Sequence, residues 1–141
     1  MKKTLLAAMS ACTLLYSCVA AAQNKPSPEL EYINTLSSIA HHCNFLAGLA
    51  RSAYRLSTDF GNQKAQEVIA CSNEGTEKGK AAFKAAMASQ HPSAIRDGIK
   101  KVYSRWQTYM DSIDATAPAD AAAERAFSDA ANDLKLDIEN P

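Results

Sequence analysis

Residues 43–71 read CNFLAGLARSAYRLSTDFGNQKAQEVIAC, with a cysteine at each end and a turn signal in the middle. Leading into and through the first half, Tyr32, Leu36, Ile39, Cys43, Leu46, Ala50 and Ala53 recur in alternating steps of four and three. That period marks one face of an amphipathic helix and places Cys43 in its buried seam. Beyond the turn, Ala65, Val68, Ile69, Ser72, Thr76, Gly79, Phe83 and Ala86 repeat with the same helical period, and Cys71 stands beside them. Between the two runs, Leu56-Ser57-Thr58-Asp59-Phe60-Gly61-Asn62 supplies a helix end, polar caps and a new start. The midpoint between the cysteines falls on Ser57, at the edge of that turn. In a helical hairpin, positions equally far from the turn come opposite one another, so the spacing predicts an interhelical Cys43–Cys71 disulfide. Closing a loop of this size stabilises by roughly 3 kcal/mol. His42 adjoins Cys43, but neighbours on a helix point about 100° apart, so the two do not form a catalytic thiol–imidazole pair.

The N-terminus indicates the compartment. Met1-Lys2-Lys3 is basic, Thr4 to Leu15 is apolar and uncharged, and Ala20 and Ala22 are placed as an Ala-x-Ala cleavage signal before Gln23. This is the pattern of a secretory signal peptide over residues 1–22. The apolar run is shorter than the ~20 residues a membrane span requires. Leu15-Tyr16-Ser17-Cys18 also resembles a bacterial lipobox, with Leu three before the cysteine and Ser just before it. That resemblance implies a lipid anchor on Cys18, which would become the first mature residue. Both processing readings stand, and both send the chain to the periplasm or beyond. Cleavage after Ala22 would remove Cys12 and Cys18 and leave 119 of the 141 residues, with Cys43 and Cys71 as an even pair. An oxidising compartment favours their bridge. No second long apolar stretch follows, so no transmembrane segment is expected in the mature chain.

The 15 basic and 15 acidic residues cancel, and losing Lys2 and Lys3 leaves 13 against 15. Such a balance argues against a nucleic-acid binder. The charge is unevenly spread. Residues 23–110 carry 11 basic and 7 acidic side chains, whereas residues 111–141 carry 2 and 8. An acidic last helix can dock on a basic partner, or rest against the chain's own Lys78, Lys80, Lys84, Lys100 and Lys101.

The remaining signals are helical. Residues 23–28 read as a flexible leader and 29–139 as one helical domain. The first helix should begin at Ser27 or Pro28 and run to about Leu56. The second should run from Thr58 or Asp59 to Ala88, continuous through Gly75 and Gly79, because the apolar period crosses them without a phase change. Pro92 suits the first turn of a third helix carrying Ile95, Ile99, Val102, Trp106, Tyr109, Met110 and Ile113. Thr116 or Ala117 is expected to cap a fourth, with Pro118 just inside and Ala123, Phe127, Ala130, Leu134 and Ile138 facing inward. Short connections between such helices give an all-α, antiparallel up-down-up-down four-helix bundle.

The chemistry-bearing residues do not converge on an active site. His41 and His42 are adjacent and cannot share a helical face as metal ligands do at i and i+4. The Glu-x-x-His spacing of di-iron bundles is absent from the sequence. Met110 with His41 or His42 could ligate a haem, but a Met closing an apolar stripe is core material. No metal, cofactor or catalytic residue is expected, and the chain does not read as an enzyme. The expectation is an exported protein that binds another envelope or secreted protein, in an inhibitor, immunity or adaptor role. Tyr103 and Tyr109, with area and a polar tip, and Asp129 and Asp133 are the candidate partner contacts. The alternative is a carrier of a small molecule or cofactor held between the third and fourth helices, against Trp106, Met110 and Phe127.

Overall fold

The computed structural model describes residues 27–140, which form four α-helices and no strand. The expected signal peptide, with Cys18 and its lipobox, and residues 23–26 of the leader lie outside the described residues. The helices are α1 (Pro28–Tyr54), α2 (Thr58–Ala88), α3 (Ser93–Asp111) and α4 (Ala121–Glu139). None of them is long and apolar enough to cross a membrane.

Local chemistry sets the boundaries. Ser27 Oγ accepts from Leu30 N at 3.3 Å, with Pro28 in the first turn and Glu29 and Glu31 beside the positive end of the helix dipole. Ser57 caps α2 in the same way, accepting from Phe60 N at 3.2 Å. Pro92 is the N-cap residue of α3 and sits one position outside the helix. The start of α4 differs from the sequence expectation. Asp114 Oδ1 accepts from Thr116 N at 2.5 Å and from Ala117 N at 3.1 Å, which folds Asp114–Ala117 into a side-chain-closed turn. The helix therefore waits for Asp120, whose carboxylate accepts from Ala122 N at 2.7 Å. Arg51 Nη1 donates to the carbonyls of Asp114 and Ala117, each at 2.9 Å, and fastens this turn to α1.

The largest interface joins α1 to α2 and the next joins α3 to α4. Cys43 and Cys71 are bridged, with Cα atoms 5.6 Å apart. Gly61 lies under the Tyr54 ring, and Gly75 lies against Ile39. Later positions of α2 thus face earlier positions of α1. The α1 seam is wider than the single expected stripe. Ile33, Ala40 and Ala47 are buried as well, while Ile39 and Leu46 are only half-buried. The cause is that α1 also touches α3 and α4.

In α2 the buried positions are Gly61, Val68, Gly75, Gly79 and Ala86. Ile69 and Thr76, expected inside, are exposed. The helix runs unbroken through both central glycines, and they are where its neighbours come closest. A Cβ on Gly75 would stand 2.6 Å from Ile39 Cγ2, and one on Gly79 would press into the six-membered ring of Trp106. Trp106, wholly buried, donates from Nε1 to the Leu36 carbonyl at 3.0 Å, and Tyr32 donates to the Ile99 carbonyl at 3.0 Å. These two bonds join α1 to α3 and satisfy the polar atoms that the aromatic residues carry into the core.

Candidate functional site

The sequence candidates separate into three environments. Trp106, Met110 and Phe127 are core residues. Gly98 lets Leu134 close over α3, with a Cβ there only 2.9 Å from Leu134 Cδ1, and outside that contact Gly98, Lys101, Ala130, Asp133, Leu134 and Leu136 line a surface groove of about 410 Å³ between α3 and α4.

Tyr109 belongs to the same core. It is 2% exposed, stacks on Phe127 with ring centroids 6.3 Å apart, and accepts a hydrogen bond from Asn44 Nδ2 at 3.1 Å. Burial, and then the nearby Glu124 carboxylate, raise its phenol above the ordinary value. It is therefore placed to bridge α1, α3 and α4 rather than to touch a partner. Beside it, α1 and α4 leave a cleft of about 260 Å³, with Tyr109 and Phe127 inside and His41, Glu124, Asn132 and Lys135 around it.

Tyr103 is half-buried on the opposite side of α3. It stacks on Phe83 of α2 at 4.5 Å and on Trp106 at 5.7 Å. Partial burial, followed by the charge of Glu77, raises its phenol. Tyr103 and Tyr109 thus do not share a face.

Asp129 and Asp133 are both exposed on α4. With Asp137 they stand at i, i+4 and i+8 on one side of the helix, and Leu136 projects beside them with 58% of its surface open. Asp133 accepts from Lys101 Nζ at 2.9 Å across the gap to α3. Lys101 is the member of the basic set that reaches α4, since Lys78 pairs with Glu74 and Lys100 with Asp97 on their own helices. The acidic side of α4 is therefore neutralised at one point and open at the others.

One feature of the surface was not singled out from the sequence. Phe45 and Leu49 on α1 are 63% and 41% exposed, and Leu56 and Phe60 stand open at the α1–α2 turn. A signal for it was available, because Phe45 and Leu49 are spaced i, i+4 on the side of α1 away from Ala40 and Ala47. Next to them runs a groove of about 450 Å³ between α1 and α2, lined by Ile39, His42, Leu46 and Cys71, with Glu74 and Lys78 along α2. His41 and His42 are exposed and diverge. Among the described residues no group of three His, Cys, Asp or Glu side chains gathers as a metal site.

Comparison with known proteins finds no matching family model, no similar curated protein and no similar solved structure.

Proposed function

We propose that this chain is an exported helical protein of the periplasm or the extracellular space that binds another envelope or secreted protein, as an inhibitor, immunity protein or adaptor. In this reading it is a binder and not an enzyme. Residues 1–22 direct export, and either cleavage after Ala22 frees the chain or lipidation at Cys18 anchors it. Residues 29–139 make one domain, an antiparallel up-down-up-down bundle. Three contacts support that topology, since Cys43 meets Cys71, Gly79 meets Trp106 and Lys101 meets Asp133.

The observation that carries the binding role is the open acidic side of α4. Asp129 and Asp137 are exposed, and Leu136 offers an apolar anchor among charges. A rim of carboxylates around an apolar side chain suits a basic partner, the charges setting orientation and on-rate and the leucine supplying burial. Tyr103 lies too far round the fold to join this face. The carrier alternative holds a small molecule or cofactor between α3 and α4, against Trp106, Met110 and Phe127, and the cleft lined by Tyr109 and Phe127 reaches that seam.

Charge reversal tests the proposal. Asp129→Lys together with Asp133→Lys should abolish capture of the partner while leaving the far-ultraviolet circular dichroism unchanged. Undiminished capture would remove α4 as the docking face. A ligand-dependent rise in melting temperature without a protein partner would move the function to the cleft.

A further inference from the structure

We propose that the Cys43–Cys71 bridge is a thiol-exchange site in the folded protein, with Cys71 the sulfur that an incoming thiolate attacks from the α1–α2 groove. The two ends of the bridge differ. Cys43 is wholly buried in the seam of α1, whereas Cys71 is half-buried. Cys71 lines the groove of about 450 Å³ and Cys43 does not. The neighbours of Cys71 along the groove, Ala70 and Gly75, are small. Gly75 follows one turn after Cys71, and a Cβ there would come within 3.8 Å of Cys43 Sγ, so the absent side chain leaves the bridge uncovered on that side. A groove of this volume admits a thiol on a small molecule or on an extended peptide of a few residues, and not a folded domain.

The attacking species is an anion, so the charges of the lining matter. Glu67 and Glu74 would repel it, but each is tied to a lysine of its own helix. Lys64 meets Glu67 at 2.6 Å and Lys78 meets Glu74 at 2.5 Å. The remaining ionisable side chain of the lining is His42, on the α1 wall. The thiolate forms its bond to Cys71 Sγ as the bond between the two cysteines breaks, and the electron pair leaves on Cys43 Sγ. That sulfur takes a proton from water, because burial favours the neutral thiol. A neutral cysteine is ordinary core material, so the helices remain packed around it. With a dithiol reagent, the second thiolate attacks the reagent's sulfur in the mixed disulfide and releases Cys71. The bridge gains two electrons and the reagent, now a disulfide, loses two. Which sulfur is attacked follows from access, and access favours Cys71. The acidic side of α4 plays no part, so this proposal and the α4 docking proposal succeed or fail separately.

Thiol treatment of the protein, purified as the host processes it and without denaturant, tests the inference. With dithiothreitol the rate of bridge loss, read by acid quench and mass spectrometry, should rise in proportion to reagent concentration. With reduced glutathione, peptide mapping should place the adduct on Cys71 and the free thiol on Cys43. Ala70→Trp, at an exposed position of the groove lining, should slow the reaction by about ten-fold in the folded protein and leave its rate in urea unchanged. Lys78→Glu is the second variant should the first fail to fold. It frees Glu74 and reverses a charge, and should slow attack by about three-fold at low salt, with added salt narrowing the gap. A rate that does not depend on thiol concentration and equals the rate of global unfolding would overturn the proposal, as would a bridge that resists both reagents. An adduct on Cys43 would overturn the assignment of the attacked sulfur. An Ala70→Trp protein that folds and reacts as fast as wild type would overturn the groove as the path.

Discussion

Replacing Gly79 with alanine should destabilise the protein even though alanine is the better helix former. In the interior of an exposed helix the exchange gains about 1 kcal/mol. At Gly79 the added methyl meets the Trp106 ring, with Cζ3 at 2.7 Å and Cζ2 at 3.0 Å. That ring cannot step aside cheaply. It is wholly buried, Tyr103 stacks on it, and its Nε1 is held by the Leu36 carbonyl. Overpacking of a filled core costs about 1–3 kcal/mol, and this site belongs at the upper end because rigid aromatic atoms meet the methyl. Against the propensity gain the net loss is about 2 kcal/mol. For a domain of this size that lowers the melting temperature by roughly 8 °C. Gly48→Ala is the internal control. Its new Cβ would find only Arg51 Nη2, at 3.7 Å, an ordinary contact, so this variant should gain up to about 1 kcal/mol. Thermal and urea denaturation of the two variants, side by side with wild type, read both signs. If Gly79→Ala stabilises as Gly48→Ala does, α2 and α3 are not in the close contact that the Trp106 position requires.

Reduction of the Cys43–Cys71 bridge, or its replacement by two alanines, should cost about 3–4 kcal/mol by loop closure, read as a lower urea midpoint. Asp114→Ala should loosen the turn before α4 and lose about 1 kcal/mol at neutral pH. The hydrogen bonds from the Thr116 hydroxyl and from the Thr116 and Ala117 N–H groups hold the Asp114 carboxyl below its ordinary range. Its contribution is therefore complete above the unfolded carboxylate value and disappears as pH falls through the folded one, so the gap to wild type should close in acid. His91→Ala should cost about 1–3 kcal/mol, read by urea titration, because its Nε2 meets the Ala86 carbonyl at 2.8 Å and its Nδ1 meets the largely buried Glu29 at 3.3 Å.

The disulfide and α3 were legible from sequence for the same reason, a strong period with an unambiguous chemical marker. Cys43 and Cys71 sit symmetrically about Ser57, and every apolar residue of the Ile95–Ile113 stripe is buried. The inner face of α2 was harder to read, because Gly61, Gly75 and Gly79 carry no hydrophobic signal and Ile69 one position from Val68 looks like core. The glycines contribute by letting neighbours approach, which periodicity does not register. The start of α4 was misplaced because Thr116-Ala117-Pro118 has the composition of a cap, while Asp114 takes the N–H groups that would have defined it. Tyr109 reads from the sequence both as a member of the α3 stripe and, by residue type, as a candidate partner contact, and its bond from Asn44 and stacking on Phe127 depend on how α1 and α4 flank α3. The open Phe45–Leu49 side of α1 follows from helical spacing once the buried side is known.

A photoreactive amino acid placed at Leu136, on α4, and at exposed Gln63, on α2, would show whether the acidic side of α4 meets a partner in the living envelope. Irradiation should yield one protein adduct at position 136, lost when Asp129 and Asp133 are reversed in charge, and none of the same mass at position 63. No adduct at position 136, or the same products from both positions, would contradict the docking role.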